Sequence, residues 1–207
     1  KAYGLIFIFL FIFPVLCFSQ SRISVSDSIE IYSLFDQADI YSDESQFDSA
    51  LAITLKIIEI TEQKHYLHEK AQAHIQCADY LYQLGEFNKL PEHDSAALLI
   101  GLKIQNNIII ARAHNKLGLY FVEVYEDAKA ESSFYKALEF APEKSVLRAE
   151  IYNNFGYLYG LIGQNDKAIE NYMLAMRIYD DLNNSSERAQ TYSNLAALMN
   201  SIGDNKK

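Results

Sequence analysis

Only two cysteines occur in the 207 residues, Cys17 and Cys77, so the chain is not a small domain stapled by several disulfides. Basic residues are also scarce: 18 Lys and Arg stand against 27 Asp and Glu, a formal net charge of −9. No Lys/Arg-rich run offers a track for phosphates, which argues against nucleic acid as a partner. Catalytic signatures are missing too: the sequence carries no Gly-x-x-x-x-Gly-Lys-Ser/Thr, Gly-x-Ser-x-Gly or His-Glu-x-x-His. Its carboxylates include no closely spaced pair in an apolar setting, the arrangement that separates a general acid from a general base. No catalytic residue, metal or cofactor is therefore assigned, and the expectation is a non-enzyme. What remains, 50% hydrophobic and 22% charged, is a globular composition long enough for one core or one repeat array.

The N-terminus is read apart from the rest. Lys1 is followed by an uncharged, strongly apolar run from Leu5 to Leu16, and the next charge is Arg22. A basic start, an apolar stretch of this length and the small Ser19 describe a secretory signal peptide over residues 1–19, cut before Gln20. The expected location is therefore exported, periplasmic or cell-envelope, in a bacterium. Ala2 to Phe18 also approaches the length of a bilayer span, so an uncleaved anchor is the alternative. A lipidated Cys17 fits poorly, because bacterial lipoprotein signals resemble one another in a small residue where Leu16 stands here. Cleavage leaves Cys77 as the one thiol, and the fold must then hold by burial alone.

Self-similarity is the strongest signal. Tyr152-x2-Phe155-Gly156-x2-Tyr159 is followed by Ala168-x3-Tyr172-x2-Ala175. A near twin, His114-x2-Leu117-Gly118-x2-Phe121, precedes Ala130-x3-Phe134-x2-Ala137 and Pro142. Weaker copies begin at Leu34, His74 and Tyr192, giving units that start at Ile31, Ala71, Ala111, Ala149 and Ala189, spaced by 40, 40, 38 and 40 residues. Small residues recur inside the first helix of each unit (Ala38, Ala78, Gly118, Gly156, Ala196), leaving room for a partner helix. Gly85, Gly163 and Gly203 mark first-helix ends, where a left-handed residue turns the chain back. Asp27 with Glu30 reads as a capping box at the first helix. The second unit departs most: Asp94 stands where an aromatic is expected, and Leu90-Pro91 opens its second helix.

These motifs resemble the tetratricopeptide-repeat (TPR) family in its long-repeat form, over almost all of the chain after residue 20. The resemblance implies an all-α fold, a right-handed α-solenoid of stacked antiparallel helix pairs, with helices about a turn longer than in the common repeat of about 34 residues. The fifth unit stops after its first helix, Gly203 to Lys207 aligning with Gly163 to Lys167, so a fragment of a longer protein is expected, with Leu195, Leu198 and Met199 exposed unless something follows.

In the family the first helices line a concave groove. Carried over, the lining positions include Tyr32, Phe35, Asp39 and Asp43 in the first unit, and Ile75, Asp79, Tyr82 and Gln83 in the second. The third unit gives Arg112, Asn115, Leu119, Val122 and Glu123, and the fourth gives Glu150, Asn153, Tyr157 and Leu161. Asn154 and Asn194 match an asparagine that in family clamps contacts the peptide backbone, and Lys116 replaces it in the third unit. Five acids against one Arg make the groove acidic, unlike clamps that hold a carboxylate with cations. The expected partner is a protein or peptide, basic or neutral, with a membrane entering only through an uncleaved signal segment or a missing C-terminal part. Exported proteins of this kind resemble the sensory portion of membrane-bound signalling or regulatory proteins. Two alternatives stay open: a structural scaffold of the cell envelope, and a metal-dependent protein using His65, His68 and His74. Against the metal, His74 and His114 occupy the slot of Tyr152, and Cys77 that of Leu117 and Phe155, as core fillers.

Overall fold

The computed structural model describes residues 23–204; the signal segment expected over residues 1–19 and the last three residues lie outside them. Among the described residues there are nine α-helices and no strand. They run α1 (Val25–Asp43), α2 (Phe47–Lys64), α3 (Leu67–Gln83), α4 (Leu90–Lys103), α5 (Asn107–Glu123), α6 (Asp127–Phe140), α7 (Val146–Leu161), α8 (Asn165–Asp181) and α9 (Ser185–Asp204). A single 3-10 turn, Phe87–Lys89, precedes α4. Each helix packs on the next, and α3, α5, α7 and α9 also touch in succession, which is the expected α-solenoid of helix pairs. The odd-numbered helices begin three to six residues ahead of the unit starts read from sequence. No described helix is long and apolar enough to cross a membrane.

Pairing within a unit is set by one close approach. A Cβ built on Gly118 would lie 2.3 Å from Cε1 of Phe134, and one on Gly156 would lie 2.6 Å from Cδ1 of Tyr172. The two rings are buried at 0% and 3% exposure and occupy the space that a side chain at either glycine would take. The first two units use a different pair of sizes at the same positions: Ala38 with Thr54, and Ala78 with Asp94, all almost fully buried. An alanine on the first helix is matched by a shorter residue on the second.

Seven of the eight inter-helix turns contain one residue of positive φ: Ser45, His65, Gly85, Gln105, Tyr125, Gly163 and Asn183. Each is followed by an amide that reaches back across the last helical turn, as in Glu86 to the Leu81 carbonyl and Gln164 to that of Tyr159, both helix-ending bonds. Gly85 and Gly163 act as expected. Gly203 does not: it lies within α9, with no further helix among the described residues to draw the chain back. The α6–α7 turn is the exception. There Pro142 stops α6, and Arg148 donates to the carbonyls of Leu138, Ala141 and Pro142, satisfying acceptors that a helix end leaves open.

The cap of α1 also differs from expectation. Ser24 is the N-cap and accepts from the Asp27 amide at 3.1 Å, so Asp27 sits one turn inside. Its carboxylate instead pairs with Lys64 and accepts from the Tyr66 hydroxyl at 2.7 Å, tying α1 to the α2–α3 turn. Hydrogen bonds from Lys64 and then Tyr66 hold that carboxyl down at about 2.

Two glycine substitutions separate packing from backbone effects. Gly163→Ala meets nothing within 4 Å but keeps φ at +75°, and should cost about 1 kcal/mol. Gly118→Ala should cost roughly 1–3 kcal/mol by overpacking, despite its gain in helix propensity. Adding Phe134→Leu should recover part of the Gly118→Ala loss. Urea midpoints check this, and a Gly118→Ala chain as stable as wild type would refute the close-approach account.

Candidate functional site

The face built by α1, α3, α5, α7 and α9 holds three depressions in series. The first, of about 430 Å³, lies between α1, α3 and α5, with Asp36, Asp39, Asp79 and Arg112 among its lining residues. The second is a cleft of about 160 Å³ between α3, α4 and α5, lined by Tyr82, Asp94, Lys116 and Leu119 among others. The third, about 300 Å³, is bounded by Tyr157, Tyr172, Asn194 and Leu198. Each takes residues from helices of adjacent units, because the turns bring those helices side by side.

Most site residues expected from sequence fall on this face, and many are linked. Tyr82 donates its hydroxyl to Glu123 at 2.7 Å, joining α3 to α5. Burial and then this acceptor push the Tyr82 phenol up, so it stays protonated and serves as a donor. Lys116 forms an ion pair with Asp79. Arg112 stands exposed at the first depression, Glu150 is exposed on α7, and Tyr157 is 38% exposed.

The asparagines form a ladder. Asn154 donates to Asn115 at 2.9 Å, Asn194 donates to Asn153 at 3.0 Å, and Asn153 reaches Asn154 at 3.4 Å. One correction follows: Asn115 is only 3% exposed, so it anchors the ladder from below and does not line the groove surface. Its position on the inner side of α5, next to α7, leaves it under the Asn154 amide. Phe35, Ile75 and Val122 are buried too; Phe35 and Ile75 nevertheless line the first depression, while Val122 packs into the core. Asn153, Asn154 and Asn194 are half-buried, and their amides are partly engaged with one another.

The histidine region resolves differently. His65 is the left-handed residue of the α2–α3 turn, and His68 faces Asn106 at 3.5 Å. His74 meets His93, Nδ1 to Nδ1, at 3.1 Å, a contact in which one ring donates its Nδ1–H and the other accepts at an unprotonated Nδ1. Burial, then His93, lowers His74 to about 4. Cys77 is fully buried, its thiol pushed up to about 12 by burial, which makes it inert. Among the described residues no three His, Cys, Asp or Glu side chains converge as a metal site.

Sequence reasoning marked Asp94 as irregular packing and missed its chemistry. The carboxyl is 0% exposed, and neither oxygen has a hydrogen-bond partner. Thr54, in the same slot of the first unit, donates to the Ala50 carbonyl at 2.8 Å; a carboxylate cannot do so. Burial raises Asp94 to about 8, opposed by Lys116 and helped slightly by Asp79. The signal was legible: a charged residue at a position filled elsewhere by Phe134 and Tyr172.

A tetratricopeptide-repeat family model matches residues 149–182, the fourth unit, which the repeat reading starts at Ala149. The fold is similar to that of BtubC (BKLC) from P. vanneervenii, at 24% identity and TM-score 0.67, over 86% of this chain and 77% of that one. It is similar to the apo form of RapI at 15% identity and TM-score 0.70, over 91% and 73%. It also resembles the nearly identical TPR-like repeats of a Podospora anserina kinesin light chain, at 14% identity and TM-score 0.62, over 86% and 89%. No curated protein matches the chain. The chain thus carries a TPR unit and folds as a TPR-like solenoid.

The raised Asp94 fixes the sign of a pH effect. Its unfolded carboxyl ionises near 3.8 and its folded one near 8, so between these values the folded state binds the extra proton and stability falls as pH rises. Asp94→Asn should flatten that slope in urea titrations run from pH 5 to 8. An unchanged slope would show that Asp94 does not carry the proton.

Proposed function

We propose that the chain is an exported interaction module that holds an extended, basic or neutral segment of a protein partner along the face of its first helices. The observation that carries this reading is the charge and shape of that face. Asp36, Asp39, Asp79, Glu123 and Glu150 lie along it, against Arg112 and Lys116, with aromatic side chains at Tyr32, Tyr82 and Tyr157. Such a face attracts cations at a distance and repels a free carboxylate tail. Exposed aromatic rings supply apolar area at low entropy cost. The half-buried amides of the ladder are suited to backbone donors and acceptors of an extended segment. TPR arrays are in general protein-interaction modules, and the repeat at residues 149–182 favours binding over catalysis for this chain. Export rests on the apolar run from Leu5 to Leu16, and a role as the sensory part of a larger membrane-bound protein would follow if an output domain lies beyond the repeats.

Fluorescence polarisation with matched peptide sets tests the groove. Lysine- and arginine-containing extended peptides should bind more tightly than their glutamate counterparts, with affinity falling as salt is raised. Asn153→Ala with Tyr157→Ala should weaken binding about tenfold, or about 1.4 kcal/mol. Equal binding of acidic and basic sets, or indifference to the double substitution, would turn the reading toward a scaffold whose groove is not used.

A further inference from the structure

The second depression differs from the other two in having a buried carboxyl with no hydrogen-bond partner among its lining residues. We propose that the cleft between α3, α4 and α5 is a specificity pocket for one alkylammonium or guanidinium group, a Lys or Arg side chain of the segment held in the groove, with the Asp94 carboxylate as its acceptor. The proposal rests on the groove reading above and adds a defined anchor to it.

Three independent features meet there. Where Phe134 and Tyr172 close the gap between helices in later units, Asp94 is shorter and leaves space, and Ala78 leaves no room for a ring to fill it, since a Cβ at the matching glycines, Gly118 and Gly156, would stand under 3 Å from the ring. The resulting cleft of about 160 Å³ could hold roughly five waters at about 30 Å³ each, enough for the end of a lysine or arginine side chain. Second, Asp94 is fully buried and neither oxygen has a partner, a state that costs free energy unless a donor arrives. Third, one ionisable group of the cleft is left without a partner. Asp79 and Tyr82 face the cleft from α3, Lys116 from α5 and Asp94 from α4. Lys116 is already paired with Asp79, and the Tyr82 hydroxyl donates to Glu123. Asp94 is the group left over, and one cation, on displacing its proton, completes the set. The walls are the apolar Ala78, Leu90 and Leu119, suited to methylene groups behind the charged head.

Tyr82, Gln83 and Lys116, positions of the first-helix face, also line the cleft, which puts it at the surface along which the segment is held. Without a cation the carboxyl keeps its proton up to about pH 8 because burial disfavours the charge. An arriving ammonium restores the charged form, so binding at neutral pH must expel close to one proton.

The test uses butylammonium chloride, with n-butanol as its uncharged counterpart, titrated calorimetrically into the whole chain in buffers of different ionisation enthalpy. Butylammonium should bind with release of close to one proton at pH 6.5. Its affinity should rise about tenfold per pH unit up to roughly pH 8 and then level off. Asp94→Asn, checked for folding by circular dichroism, should lose both the binding and the proton release. Lys116→Gln, which removes the competing cation, should bind severalfold more tightly. A neutral Gly/Ser/Asn peptide with one central lysine should compete with butylammonium and bind at least tenfold more tightly; equal affinities would overturn the assignment to a partner's side chain in favour of a free amine. Binding of n-butanol as strong as that of butylammonium, or binding by Asp94→Asn at wild-type strength, would overturn the pocket. If basic peptides bind Asp94→Asn as they bind wild type, the pocket fails while the groove reading stands. If butylammonium binds as described and no basic peptide does, the groove reading fails instead, and with it the side-chain form of the proposal.

Discussion

Two helices in each unit approach so closely that one of them has no room for a full side chain, and most of the architecture follows from that constraint. Where the first helix has Gly118 or Gly156, an aromatic ring from the second helix covers the bare backbone. Where it has Ala38 or Ala78, the second helix answers with Thr54 or Asp94. A larger residue on the first helix is met by a shorter one on the second, since a packed interior does not tolerate a clash at the closest point. This close pairing within each unit is what lets successive first helices lie side by side and form one face.

The same constraint produces the chemistry of that face. Two ways of filling the gap are inert: a ring, or a threonine whose hydroxyl bonds to its own helix. Asp94 puts there a carboxyl that makes no such bond, and it stands orphaned and protonated beside the Asp79–Lys116 pair. A buried polar group that is held unsatisfied by its neighbours lowers the stability of the free protein and raises the gain available to a ligand that satisfies it. In the C-terminal half the corresponding surface carries Glu150 on α7 but is otherwise built largely of the asparagine ladder and Tyr157. The face is therefore graded, acidic over α1 to α5 and amide-rich over α5 to α9, which suits a segment whose charges are clustered toward one end.

The connections show how loosely turn chemistry is tied to glycine. Positive φ recurs at nearly every turn, yet only Gly85 and Gly163 meet it with glycine; Ser45, His65, Gln105, Tyr125 and Asn183 adopt it as well. The helices on either side are held by their own burial, and that outweighs the roughly 1–2 kcal/mol a side chain costs there. This is also why His65 is a turn residue rather than a ligand, although its spacing from His68 would put both on one helix face if the helix continued through it.

The sequence by itself determined the all-helical fold, the repeat at residues 149–182 and the small-residue crossings at Gly118 and Gly156. These depend on periodicity and residue size, which are local and repeat, so each copy supports the others. The sequence also marked Asp94 as the wrong residue for its slot. Only the tertiary structure decided that Asp94 has no partner, that Asn115 lies beneath the ladder instead of on the surface, that Ser24 rather than Asp27 caps α1, and that His74 meets His93. Each of these turns on which side chain from another helix arrives within about 3 Å. That distance is fixed by the packing angle and register of two helices, which a one-dimensional pattern does not contain.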